Sequence, residues 1–361
     1  SSNQNSRRAF KRRTFWVKRN DSLAELNHPM LARAFQVPLS TSHYVEVARS
    51  LFSDELWQGH RIFDHSVLPA VGYVELMLAS FRATGSTSTL VLKDVSFAHV
   101  LALTAEAGVV QLGLDDDRCE ALQQLGNNEW RTLCKASWHE ESGAASPLQA
   151  QPAKKSCSPD SVYERLAAQG VTYGEPWRLI ESIGVGAGEV FAKLRCAPDL
   201  ENYHFHPLIL DACLQTIAAL YLDDEASATY LPEGVGKIIF HTDRLKGDHF
   251  FSHAQVTSGD GWVSTNLVLR DPNGIALITL QDFRLRPIPS GWQSTLDPTT
   301  HITEVEDCFY TVEWQAESLP QPPKECSPAS IADDLLPLFE TSLASPENQA
   351  YLEKLPKLET L

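Results

Sequence analysis

Twice along this chain an apolar run with helical spacing is followed by segments that alternate apolar and polar residues, and that duplication limits the fold more than any single residue does. The first run places Val74, Met77, Leu78 and Phe81 on one face, with Pro69 well placed at the helix N-terminus. The stretches 91–97 and 108–114 after it alternate like strands. The second run places Leu210, Cys213, Leu214, Ile217 and Tyr221 together, and strand-like stretches follow at 235–240, 250–257, 262–270 and 275–286. A helix with an apolar face and strands with one apolar side bury both by packing against each other. The expectation is an α+β protein of two similar units, each with strands wrapped around one long helix. Residues 143–158 are small, polar and Pro-containing, the composition of a linker. They divide the core into halves at 28–142 and 159–290.

Composition narrows the function classes. With 361 residues, 43% of them hydrophobic, the chain has core enough for one large or two small domains. A formal net charge of −16 argues against a nucleic-acid footprint. The seven cysteines are scattered without CxxC spacing, so neither a zinc site nor a disulfide framework is expected, and buried or idle thiols are the default. No apolar run reaches the length of a membrane span and no N-terminal signal pattern is present, so a soluble cytoplasmic protein is expected.

Two segments carry chemistry. The first reads Trp57-Gln-Gly-His60-Arg-Ile-Phe-Asp64-His65-Ser-Val-Leu-Pro69-Ala-Val-Gly72, and the second His206-Pro-Leu-Ile-Leu-Asp211-Ala-Cys-Leu-Gln215. They lie roughly 150 residues apart, one small domain per segment. The first resembles the HxxxGxxxxP motif, and the second the HPxxxDxxxQ motif, of the dehydratase domains of modular type I polyketide synthases. Tyr173-Gly174-Glu-Pro-Trp177 resembles that family's YGxxF segment with tryptophan in the aromatic position, and Leu231-Pro232 its Leu-Pro motif. His28-Pro-Met-Leu31 resembles the opening of the domain, so the likeness extends over residues 28–290.

The resemblance implies a double hotdog, two sheets each wrapped around a central helix, with the active site between the halves. It implies removal of water from a 3-hydroxyacyl thioester to give a 2,3-enoyl product, with His60 as base and Asp211 as acid. Neutral imidazole suits proton abstraction because its unperturbed pKa lies near working pH. A carboxyl with an ordinary pKa of about 3.9 is almost wholly ionised at pH 7. Apolar surroundings raise that value, and Leu208, Ile209, Leu210, Cys213 and Leu214 flank Asp211. Gln215, four residues on, shares its helical face and can orient the carboxyl. Tyr173 and Gly174 belong near the substrate channel, and backbone N–H groups after Pro69, around Gly72, are candidates to polarise the thioester carbonyl. His65 competes with His60, but Pro69 and Gly72 fall at the expected offsets only when counted from His60. The motif's glycine position holds Asp64, which puts the loop shape at issue.

No metal or redox cofactor is implied; the substrate rides on the phosphopantetheine of an acyl carrier protein. Neighbouring synthase domains are the other partners, no membrane or nucleic acid is involved, and a homodimer fits the resemblance. Residues 1–27 resemble the linker after an acyltransferase, with the basic run Arg7–Arg13. Residues 291–361 resemble a post-dehydratase linker whose end, from Asn348, is similar to the lead-in to a methyltransferase. Cyclisation to a cyclic ether and migration of the double bond are alternative outcomes for the same pair. An inactive structural module with this fold is a second alternative.

Overall fold

Short loops punctuate long apolar strands in the computed structural model, which describes residues 26–288 apart from 37–41, 85–88, 126–128, 141–154, 224–227 and 260. These residues belong to one compact unit, Ser1–Thr303; a second, Glu304–Leu361, lies wholly outside them. Of the expected flanking linkers, residues 1–25 of 1–27 and all of 291–361 lie outside the described residues, as does most of the inter-half linker.

The first half runs β1 (Leu31–Gln36), β2 (His43–Val47), β3 (His60–Ile62), β4 (His65–Ser66), α1 (Ala70–Ala83), β5 (Leu90–Phe97), β6 (Val110–Leu114), β7 (Arg118–Gln124) and β8 (Trp130–Glu140). The second runs β9 (Lys155–Cys157), α2 (Pro159–Ala168), β10 (Val171–Tyr173), β11 (Ile180–Val185), β12 (Glu189–Arg195) and α3 (Pro207–Gln215). It closes with β13 (Tyr230–Phe240), β14 (His249–Gly259), β15 (Trp262–Arg270) and β16 (Ala276–Pro287). The end of the expected linker, residues 155–157, is therefore an edge strand paired with β11.

Thirteen strands form one antiparallel sheet in the order β1-β2-β6-β7-β8-β5-β13-β16-β15-β14-β12-β11-β9. The order is nearly a mirror about its centre. In each half the strand after the long helix, β5 or β13, lies innermost, and these two pair with Val95 opposite Val235 and Leu92 opposite Ile238. This is the double hotdog that the resemblance implies.

The central helices differ in how they terminate. Every residue of α1 from Val71 to Phe81 is buried, as expected for a helix covered on all sides rather than on one stripe. α3 has Pro207 in its first turn and His206 as N-cap, whose Nδ1 accepts the Leu208 N–H at 3.2 Å. Beyond Gln215 it tightens into a 3-10 turn over Thr216–Tyr221. The two helices pack against each other, and one continuous apolar core runs through both halves.

A buried carboxylate adds a polar tie between the halves. Glu75 of α1 is 0% exposed and accepts the backbone N–H groups of His204 (2.7 Å) and Phe205 (2.8 Å), just ahead of α3. His28 Nε2 completes the set at 2.9 Å. A buried carboxylate is tolerable only with such partners.

Candidate active site

A small second sheet, β10-β3-β4, builds the site by pairing a strand from each half. Its register sets Tyr173 opposite His60 and Val171 opposite Ile62. Two glycines allow this approach. The Gly174 N–H donates to the Gly59 carbonyl at 2.8 Å, and a Cβ on Gly174 would stand 3.2 Å from the Gly59 Cα.

His60 is 5% exposed. Its Nδ1 lies 3.0 Å from the Val67 carbonyl, which can only accept, so Nδ1 carries the proton and Nε2 the lone pair. The rings of Tyr173 and Trp177 flank it, with centroids at 5.4 and 5.3 Å. Burial lowers the His60 pKa below the ordinary histidine value, against the opposing charge of Asp211. The imidazole is therefore neutral at pH 7.

Asp211 sits in the second turn of α3 and is 6% exposed. Burial raises its pKa, opposed by the charge of His60 and by hydrogen bonds from Gln215 and Tyr173. Gln215 Nε2 donates to Asp211 Oδ2 at 2.8 Å and to the Trp177 carbonyl at 3.3 Å. Burial also lifts the Tyr173 hydroxyl far above the ordinary tyrosine range, so it stays a donor to Asp211. A neutral base and a carboxyl biased toward its acid form, contributed by different halves, thus lie near enough for each to act electrostatically on the other.

The other expected residues divide into supports of this pair and supports of its loop. Leu68 N–H donates to the Leu101 carbonyl and Leu103 N–H to the Ser66 carbonyl, which pins the loop carrying Val67. Pro69 is the N-cap of α1. The Gly72 N–H is committed to the Pro69 carbonyl at 2.8 Å, so that amide is not available to a thioester; the expectation around Gly72 is corrected for it. Leu68 fills the space where a Gly72 side chain would stand. Leu231 packs against the small cluster of Ile62 and Val67 and so lies behind the His60 loop, while Pro232 precedes a bulge in β13.

Asp64 meets the glycine requirement by its backbone. Its φ is 68°, after Phe63 at 47°, so both take the left-handed region. Asp is among the few non-glycine residues that adopt it routinely. His65, in β4, is part-exposed and pairs with Ile62 of β3. The histidine whose charge acts on Asp211 is His60.

Sequence reasoning missed the Val67 carbonyl, because a backbone acceptor leaves no side-chain signature. It also missed Glu75, although an acidic residue inside the apolar run Tyr73-Val-Glu-Leu-Met77 was a signal. Among the described residues no cluster of three or more His, Cys, Asp or Glu is arranged to hold a metal ion, and no helix is long and apolar enough to cross a membrane.

Comparison with known proteins follows the same two segments. Residues 28–124 match the family model described as polyketide synthase dehydratase domain, and residues 141–295 that described as polyketide synthase dehydratase N-terminal domain. The chain is 29% identical over 237 residues to polyketide synthase GfsB of Streptomyces halstedii, covering 58% of this chain and 4% of that protein. It is 28% identical over 251 residues to mycoketide-CoA synthase of Mycobacterium tuberculosis, covering 63% of this chain and 6% of the relative. The chain thus spans a small fraction of these relatives. In fold it matches the dehydratase domain from the CurJ module of curacin polyketide synthase, with a TM-score of 0.65 at 22% identity, over 72% of this chain and 96% of that one. A His-to-Phe mutant of that CurJ dehydratase is described as inactive.

Proposed function

The chain belongs to the dehydratase domains of modular polyketide synthases, and on that premise we propose that His60 and Asp211 together eliminate water from a 3-hydroxyacyl thioester during chain elongation. The carrying observation is the protonation pattern: a buried histidine with its lone pair on Nε2 and a buried carboxyl pushed toward its acid form. His60 Nε2 takes the proton from the carbon beside the thioester carbonyl, and the electrons of that C–H bond become the new double bond. The C–O bond breaks, and its oxygen leaves as water with the proton of Asp211. Imidazolium and carboxylate remain, opposite charges that a proton transfer through the released water resets. Gln215 and Tyr173 hold the carboxyl in place. The inactive His-to-Phe mutant of the CurJ dehydratase supports a histidine in this role.

The substrate in this reading arrives on the phosphopantetheine arm of an acyl carrier protein, with neighbouring synthase domains around it. No oxidation state changes overall, so no redox cofactor is called for, and in this reading His60 and Asp211 supply the base and the acid themselves. Residues 28–142 and 155–290 are the two hotdogs of this reading, the edge strand Lys155–Cys157 belonging to the second, and 1–27, 143–154 and 291–361 are its linkers. The test is incubation with 3-hydroxyacyl thioesters, short and long, with and without a methyl branch, followed by mass spectrometry. Loss of one water to give a 2,3-enoyl product is expected; no elimination from any of them overturns the reading.

A further inference from the structure

Trp177 is completely buried and touches three parts of the site, two through its side chain and one through its backbone carbonyl. Its indole Nε1 donates to the Leu56 carbonyl at 2.7 Å. That carbonyl also accepts the Gly59 N–H at 3.2 Å, closing the turn that leads directly into His60. The Trp177 ring lies against the His60 imidazole, centroids 5.3 Å apart at 47°. Its own carbonyl accepts from Gln215 Nε2, the same nitrogen that holds Asp211 Oδ2. One residue is thus bonded to the turn before the base and to the residue that orients the acid.

We propose that Trp177 is a positioning residue that sets the imidazole of His60 and the carboxyl of Asp211 in a fixed mutual arrangement for elimination. The inference rests on the dehydratase reading and adds a residue to it. A phenyl ring fills most of the same volume but has no N–H, so the indole bond to Leu56 distinguishes positioning from simple core packing. Gly59 offers an independent handle: a Cβ there would stand 2.9 Å from Trp177 Cδ1 and 3.0 Å from Nε1, displacing the ring without altering it.

In the full chain, W177F should keep the melting temperature close to wild type and lower kcat roughly 10- to 100-fold with KM little changed, the scale of an ångström-level misplacement. The titration of His60, followed by the NMR signal of its ring Cε1–H, should move up toward the ordinary histidine value as its packing loosens. G59A should shift both readouts in the same direction. Wild-type kcat and His60 titration in both folded variants would overturn the proposal. So would a loss of kcat that merely tracks the unfolded fraction with the titration unmoved, and failure of both variants to fold would reduce Trp177 to core packing. If the wild-type chain eliminates no water, the dehydratase reading falls, and the titration alone decides whether Trp177 sets the environment of His60.

Discussion

Replacing Asp211 by asparagine removes a transferable proton while disturbing little else, and the surrounding bonds show why. The carboxyl accepts from Gln215 Nε2 at 2.8 Å and from the Tyr173 hydroxyl. An amide keeps one acceptor and adds an NH2 that needs one. Gln215 Oε1 is buried without a hydrogen-bond partner, so rotation of the Gln215 amide presents that oxygen to the new NH2. The rotation gives up the 3.3 Å bond to the Trp177 carbonyl, a cost of about 1 kcal/mol. Folding should therefore survive. Elimination should not: loss of general acid catalysis lowers kcat by about 10²–10⁴-fold, roughly 3–5 kcal/mol of barrier. Stability carries a second signature. Because burial raises the folded pKa of Asp211 above its ordinary 3.8, its contribution is fully present below that value and is lost as pH rises through the folded one. The D211N melting temperature should thus gain on wild type between pH 4 and pH 7. Single-turnover mass spectrometry and thermal melts across that range are the assays. Near-normal turnover in a folded D211N chain would show that Asp211 orients and does not protonate, and a stability difference independent of pH would refute the raised pKa.

His60→Ala should abolish elimination and His65→Ala should leave most of it, both read by product mass in folded protein; equal large losses would reverse the choice of histidine. Activity requires neutral His60 and protonated Asp211, so kcat/KM should be bell-shaped in pH, with its acidic limb below 6.5, because burial lowers the His60 pKa, and its basic limb above 3.8. An acidic limb above 6.5 would contradict the burial argument. Glu75→Ala strands the buried Phe205 amide and the part-buried His204 amide and takes the partner from His28 Nε2, so unfolding by denaturant should show a loss of about 2–5 kcal/mol. A loss below about 1 kcal/mol would mean that water replaces the carboxylate.

Much of the site was legible because its side chains lie at fixed offsets within short segments. The offset of Pro69 separated His60 from His65, and one helical turn joined Asp211 to Gln215. The two-unit fold was legible because strands and helix faces have periods of their own. The pairing of β3 with β10 was not, since three-residue strands are too short for alternation to register. The meeting of β5 with β13 joins strands of different halves that are far apart in sequence, and nothing local encodes such a partner. The commitment of the Gly72 amide to the Pro69 carbonyl was hidden for a similar reason: helix-start patterns mark where a helix begins and not which of its first N–H groups stays open.

The ladder between β5 and β13 has a practical consequence for anyone who wishes to dissect or transplant this unit. Either half produced alone would present one edge of that strand bare, β13 still paired with β16 or β5 with β8 on the other side, and an exposed apolar edge is a template for aggregation. Grafts between synthases should carry residues 26–288 as one piece. Among the described residues the cysteines are free, and the chain itself joins the halves between Glu140 and Lys155, whereas the ladder, the His60–Tyr173 strand pair and the Glu75 clasp are all noncovalent. Two separate polypeptides divided between those residues and made in the same cell are therefore expected to reassemble into a working site.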